Sequence, residues 1–363
     1  MTSTQLTRRS AALLMLASLA ACGGGGGDGG SAGGGSGGGG SGGGSEGGSG
    51  GNGTGPGGGE TGGGSSGPVT GSYSLRTAAT GHDQMLSDAN TMGAQGFVLV
   101  SALATQMTAT SPGVIGDFYV SDTAHSGHKF AYLLQPQPGN LTEFLAQLNQ
   151  QGGNGYMFKS GSVFGNVSDI RNVYVKDTSR SDQFSYEAST TIPQTPQAMA
   201  DEINRQGARG LRYLGQYSIG TALIFSLYVK RNDSVTYQYT LENQSHPMGP
   251  ADRAALQSQL AAKGAQGLFF RGTEVFGQSA NPAQQEYADV YEKSSAQNGA
   301  IEYLVEAAST GDSLDDILKS MNGNAANGFF WLSQTMTSDM KMSTVSVKNG
   351  GSLLHPLAGV SFP

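Results

Sequence analysis

The stretch that decides the fold is Gly93-Ala-Gln-Gly96-Phe97, a glycine turn that runs directly into an aromatic residue. It has four further copies: Gly152-Gly-Asn-Gly155-Tyr156, Gly207-Ala-Arg-Gly210-Leu211, Gly264-Ala-Gln-Gly267-Leu268 and Ala325-Ala-Asn-Gly328-Phe329. The last glycines of successive copies lie 59, 55, 57 and 61 residues apart. Self-similarity at a nearly fixed period indicates one supersecondary unit repeated in tandem.

An amphipathic helix is predicted before each glycine turn. The clearest apolar stripe is Leu141, Phe144, Leu145 and Leu148, the spacing of a helix that lies on a sheet. The predicted helix starts are marked by Asn140 as a cap, by Pro196 and Pro250 in first turns, and by Ser313 with Asp316 three residues later. The final glycine of each turn tolerates the left-handed conformation that stops a helix.

Three short strands complete each unit, and we name them A, B and C. Strand A follows the glycine turn, strand B follows a loop of variable length, and strand C opens the next unit after a polar turn. The order C-α-A-B gives five β-α-β-β units, covering residues 71–123, 128–177, 182–231, 234–293 and 299–348. We expect B and the following C to pair antiparallel, and C and A of one unit to run parallel in a right-handed crossover.

The sequence therefore predicts an α+β domain of five repeats of about 58 residues. Read from strand B, the element order is β-β-α-β, and five such units resemble the pentein fold, a five-bladed α/β propeller. The resemblance rests on element order and copy number. Enzymes of that family that modify guanidine groups use a catalytic cysteine, which residues 68–363 lack, so the resemblance implies no activity here. The alternative is an open or pairwise array of the same units.

The start of the chain has the features of a bacterial export signal. Arg8 and Arg9 precede an apolar run, and Leu19-Ala20-Ala21-Cys22 resembles the lipobox of bacterial lipoproteins. The resemblance implies that residues 1–21 are removed and that Cys22, the only cysteine, is acylated with fatty acids such as palmitate. Since Gly23 rather than aspartate follows, it also implies the outer membrane; the periplasmic and the surface face both stay open.

A glycine-rich tether is expected after Cys22, over residues 22–67. Positions 23–67 contain 30 glycines and no basic or aromatic residue, which is typical of a disordered segment. Such a coil spans about 35–40 Å. Without residues 1–21 the chain carries 18 basic and 27 acidic residues, a net charge of −9, which argues against nucleic acid as a partner.

No set of residues predicts catalysis or a cofactor. His125 and His128 form the only close histidine pair, and we interpret them as part of a solvated turn rather than as metal ligands. The strand tyrosines favour sheet packing and cross-strand pairing. The alternative is a tyrosine-lined ligand surface or central channel suited to glycans or peptides, with four candidates in strand C: Tyr132, Tyr186, Tyr239 and Tyr303. The variable A–B loops (Ala102–Gly116, Gly272–Glu286) would then form the rim of the site.

These features favour a lipid-anchored envelope protein that acts as a binding or interaction module on a flexible tether. Its partners would be the membrane, through the lipid, and an envelope glycan, peptide or protein. The alternative function is an envelope hydrolase that acts on glycan or peptide with acids in or beside the A–B loops. Asp117, Glu274 and Glu286 are the candidates for that role.

Overall fold

The computed structural model describes residues 69–105, 113–164, 169–219, 223–244, 249–276, 285–308 and 313–349. The predicted signal peptide, Cys22 and the whole tether lie outside these residues. The described elements follow the order strand, helix, strand, strand five times, as predicted: unit 1 has β1 (Gly71–Thr77), α1 (His82–Ala94), β2 (Val98–Ala104) and β3 (Ile115–Asp122); unit 2 has β4 (Phe130–Pro136), α2 (Leu141–Gly153), β5 (Met157–Val163) and β6 (Ile170–Asp177); unit 3 has β7 (Phe184–Ser189), α3 (Pro196–Gly207), β8 (Arg212–Ile219) and β9 (Leu223–Arg231); unit 4 has β10 (Tyr237–Gln244), α4 (Arg253–Gly264), β11 (Phe269–Phe276) and β12 (Glu286–Ser294); unit 5 has β13 (Glu302–Ala307), α5 (Leu314–Ala326), β14 (Phe330–Met336) and β15 (Met342–Lys348).

Each unit forms its own three-stranded sheet in the order C-B-A, with β4-β6-β5 as an example. Strands C and A both run antiparallel to the central strand B, so they are parallel to each other, as predicted. The predicted pairing of B with the C strand of the next unit is wrong. The polar turn between them carries the chain from one sheet to the next instead of closing a hairpin.

The helix ends follow the predicted signals with one exception. Asn140 accepts a hydrogen bond from the backbone of Glu143, and Ser313 and Asp316 form a complete capping box. Pro196 opens α3, but Pro250 lies ahead of α4, which begins at Arg253 and is capped by Asp252. The final glycine of every copy has a φ between +72° and +87°, so the predicted helix stop is confirmed in all five units.

The first glycine of the turn has a separate role in packing. An ideal Cβ built on Gly152 would lie 2.2 Å from the carbonyl oxygen of Phe184, at the start of strand C in unit 3. Equally short approaches occur at Gly93, Gly207 and Gly264. In units 1 to 4, the absent side chain therefore lets the end of the helix touch the next unit.

Successive units are joined by a side-chain clamp and a buried tyrosine. Asn149 in α2 donates to the backbone oxygen of Tyr186 (3.1 Å) and accepts from its backbone nitrogen (2.8 Å). The Tyr186 hydroxyl in turn accepts from the backbone nitrogen of Phe158 (2.7 Å) in unit 2. Asn90 and Asn204 make the same clamp, whereas α4 has Ala261 at that position and Gln257, one turn earlier, reaches Tyr303 and Val305.

The series of contacts continues from unit 5 to unit 1. Helix α5 packs on β1, as each other helix packs on strand C of the following unit. Asn322 Oδ1 accepts from the backbone nitrogen of Tyr73 (2.7 Å), and Asn322 Nδ2 donates to its oxygen (3.2 Å). The Tyr73 hydroxyl accepts from the backbone nitrogen of Trp331 (2.8 Å), so the first and last units are linked by the same contacts as the inner pairs.

Candidate functional site

The four candidate tyrosines do not form a ligand surface. Tyr132, Tyr186, Tyr239 and Tyr303 are all buried, and each hydroxyl accepts a backbone hydrogen bond from the preceding unit. Burial raises the pKa of all four hydroxyl groups above the usual range. They connect units, and the expectation of a tyrosine-lined binding surface is wrong.

A charged cluster distinguishes the seam between units 3 and 4. Arg212 Nε lies 2.8 Å from both carboxylate oxygens of Glu292, and the two side chains are 3% and 0% exposed. Tyr239 donates to Glu292 (3.2 Å), and Arg271 Nε lies 3.8 Å from the same carboxylate. Burial alone would lower the pKa of Arg212, but the charge of Glu292 and its hydrogen bonds raise it above the ordinary value.

The other four seams are apolar at the same positions. Where Arg212 stands, the other units have Val98, Met157, Phe269 and Phe330; where Glu292 stands, they have Val120, Val175, Val229 and Val347. In each of those seams the two facing residues belong to the same hydrophobic cluster. The ion pair therefore takes the place of an apolar contact in one of the five seams. Both of its residues differ from those at the equivalent positions of the other units.

A β-bulge places further charge near this cluster. Every strand A is bulged at the same residue, which is Val100, Lys159, Leu214, Arg271 or Leu332. Arg271 Nη2 donates to the backbone oxygen of Tyr213 (2.8 Å), and Lys159 Nζ donates to that of Val100 (3.1 Å). Burial lowers the pKa of both cations, with the charge of Arg212 adding to the effect on Arg271.

The three acids suggested for a hydrolase lie in different surroundings. Glu274 accepts from the Tyr213 hydroxyl (2.9 Å), and burial raises its pKa although that hydrogen bond opposes the shift. Asp117 accepts from the backbone nitrogen of Ala79 in unit 1, and Glu286 is exposed at the start of β12. A glycosidase needs two carboxyl groups facing one bond, and these contacts do not pair any two of the three acids.

The A–B hairpins form one end of each sheet, and the chain enters the domain at the other end. In unit 1, Gly71 of β1 lies opposite Asp122, while the hairpin closes between Ala104 and Ile115. Since β1 has seven residues, the two ends are about 24 Å apart. We call the first of these the hairpin end.

Neighbouring units meet at the hairpin end. His82 Nδ1, at the start of α1, lies 3.5 Å from Asp169 in the A–B connection of unit 2. The backbone nitrogen of Ser338, in the A–B connection of unit 5, donates to the oxygen of Pro250 ahead of α4 (2.9 Å). The hairpin ends of these adjacent units therefore share one face.

The exposed large apolar residues of the described chain all lie at the hairpin end. They are 38–62% exposed, come from four of the five units, and comprise Val114, Leu223, Ile224, Val275 and Met340. The predicted rim, Ala102–Gly116 and Gly272–Glu286, belongs to this end, and residues 106–112 and 277–284 lie outside the described part. Sequence reasoning pointed to these loops because they vary in length between copies, but it did not identify the aliphatic residues.

Two features are absent from the residues that the structure describes. They contain no group of three or more His, Cys, Asp and Glu side chains arranged to hold a metal ion. None of the described helices is both long and apolar enough to cross a membrane. In comparisons with known proteins, no family model, curated protein or solved structure matches this chain.

Proposed function

We propose that the chain is a lipid-anchored cell-envelope protein whose five-unit domain binds a protein partner through its hairpin end. The proposed binding surface rests on one observation: every exposed large apolar side chain in the described residues lies at the hairpin end. Exposed apolar side chains that concentrate on one part of a surface are typical of a protein interaction site.

The layout of the chain supports this orientation. Cys22 and the glycine-rich tether precede Gly71, which lies at the end opposite the hairpins. An acylated Cys22 would hold the protein at the bilayer, in our expectation the outer membrane, and the tether would allow a reach of about 35–40 Å. The tether would then join the domain at the end opposite the hairpins and leave the hairpin end free to meet a partner.

A closed ring of five blades is part of the proposal. The contacts of Asn322 and Trp331 with Tyr73 support closure, because β1 and α5 would not be in contact in an open array. Closure would bury both terminal units, so the ring needs no separate capping repeats. It would also fix the five hairpin ends relative to one another and so present a preorganised surface.

The hydrolase alternative is favoured by one specific observation. Glu274 is a carboxyl group with a raised pKa that is hydrogen-bonded to the Tyr213 hydroxyl, which is suited to holding a proton. Glu274→Gln keeps the shape of the side chain. Turnover of a cell-wall or glycan substrate that is lost in Glu274→Gln and kept in Glu286→Gln would establish this alternative in place of the binding module.

Membrane attachment is tested by Cys22→Ala. We expect the wild-type chain in the membrane fraction of its host and the Cys22→Ala chain in the aqueous fraction. Retention of the variant in membranes would contradict the lipid anchor.

The binding surface is tested by site-specific photo-crosslinking in intact cells. A photoreactive residue at Ile224 is expected to capture a protein partner. One at Lys293, an exposed residue of β12 near the end opposite the hairpins, is the matched control. Leu223→Ser should reduce the capture at Ile224. Equal capture at both positions, or capture unaffected by Leu223→Ser, would contradict a partner at the hairpin end.

A further inference from the structure

The turn between units 1 and 2 holds two histidines side by side. His125 and His128 lie between β3 and β4, with ring centroids 5.3 Å apart and ring planes at 88°. The corresponding turns of the other units contain no histidine. The pair is therefore a property of this one junction and is not needed by the repeat.

A buried carboxylate holds each ring through the same nitrogen. His125 Nδ1 lies 2.7 Å from Asp122, and His128 Nδ1 lies 2.6 Å from Asp177. The two aspartates are the last residues of β3 and β6, so they occupy equivalent positions in successive units, and their side chains are only 4% and 1% exposed. A carboxylate on one ring nitrogen fixes the orientation of the ring and is the usual outer partner of a metal-binding histidine.

We propose that His125 and His128 bind one divalent transition-metal ion through their Nε2 atoms. Two imidazoles bound at about 2.0–2.1 Å to one tetrahedral ion would place their ring centres about 5 Å apart. The observed 5.3 Å separation matches that geometry. The distance between the rings and the two buried aspartates together define the site.

The chemistry of the donors selects the ion. Imidazole nitrogen suits Cu²⁺, Ni²⁺ and Zn²⁺, and Cu²⁺ binds most strongly in this series. With two protein ligands, the remaining positions would be filled by water, so the site is exchangeable. The side chains are 16% and 24% exposed, which allows an ion to enter without unfolding of the domain. This proposal does not depend on the lipid anchor or on the hairpin end.

The test is titration of the full chain with Cu²⁺ and Zn²⁺, followed by calorimetry and by electron paramagnetic resonance of bound Cu²⁺. All samples carry Cys22→Ala, so that no thiol competes for the metal. We expect one ion per chain and two coordinated imidazoles in the Cu²⁺ spectrum. His125→Ala and His128→Ala should each weaken binding at least about tenfold, and Asp177→Asn should weaken it about 10–100-fold.

The matched control is His82→Ala, which removes a histidine that also lies near carboxylates but has no second imidazole beside it among the described residues. Its affinity should equal that of the parent chain. Circular dichroism checks that each variant is folded. Binding that survives in the double variant His125→Ala/His128→Ala, or a Cu²⁺ spectrum with fewer than two imidazoles in the parent chain, would overturn the proposal.

Discussion

Replacing the buried Arg212–Glu292 pair, singly and together, tests how the seam between units 3 and 4 is held. Arg212→Met and Glu292→Val introduce the residues that the preceding seam uses at the same positions. Each single change leaves a buried charge without its partner, and such a change costs about 3–5 kcal/mol. Glu292→Val should cost more, because it leaves both Arg212 and Arg271 without the shared carboxylate.

The double variant should recover part of that loss. Apolar pairs fill the other seams, and replacing a buried ion pair by well-packed apolar residues is often neutral or stabilising. Recovery is incomplete because Arg271 still loses Glu292, 3.8 Å away. We therefore expect a coupling energy of at least about 2 kcal/mol between the two positions.

The assay is urea denaturation of the Cys22→Ala chain, which gives the free energy of unfolding of each variant; the slope of that free energy against urea concentration should be the same in all of them. The exposed pair Arg209–Glu187, with side chains 50% and 48% exposed, provides the control, and Arg209→Met should cost less than about 1 kcal/mol. Costs of Arg212→Met and Glu292→Val that simply add in the double variant would refute the coupled pair. A cost for Arg212→Met no larger than that of Arg209→Met would refute the importance of its burial.

Three further predictions concern the repeat and its electrostatics. Gly152→Ala should lower stability strongly, since its Cβ would lie 2.2 Å from a backbone oxygen. Gly153→Ala, whose Cβ would meet nothing within 4 Å, should raise stability by about 0.5–1 kcal/mol. Thermal unfolding compares the two variants, and similar effects on stability would contradict the close approach at Gly152. If the ring is closed, Asn322→Ala should cost about as much as Asn149→Ala, roughly 1–3 kcal/mol, whereas no cost at Asn322 in denaturant unfolding would show that the first and last units do not meet. Burial raises the pKa of Asp289 to about 6 from 3.8, so the folded state binds more protons than the unfolded state between those two values. The contribution of Asp289 to stability therefore falls as pH rises through that window. Asp289→Asn should gain up to about 3 kcal/mol of stability relative to wild type between pH 4 and 7, and stability profiles of the two proteins that stay parallel with pH would contradict the shift.

The local elements were predictable from the sequence because local rules determine them. The glycine turn stops each helix through its own left-handed conformation, and Asn140 and Ser313 cap helices through side-chain hydrogen bonds to residues three positions away. The spacing of these helix starts and stops along the chain gives the length of the repeat. Pro250 failed as a start signal because Asp252 supplies a cap nearer to the helix.

The pairing of strands was not predictable from the short polar turns. A short connection between two strands usually closes a hairpin, and that rule led to the wrong pairing of B with the next C. In the structure the C strand is held in its own sheet by B, and its tyrosine enters the preceding unit. Within a single unit, the tyrosine pattern therefore resembles an exposed stripe. When two units pack together, the same tyrosine is buried between them.

The charged seam could have been found by comparing the repeats position by position. A buried position stays apolar unless the position that faces it in the adjacent unit changes with it, since an unpaired buried charge costs several kcal/mol. Arg212 and Glu292 lie 80 residues apart but are the only charged residues at their respective positions among the five units. The loss of the asparagine clamp at Ala261 and its replacement by Gln257 follow the same rule within one helix. In a tandem repeat of this kind, paired departures from the repeat identify contacts between units.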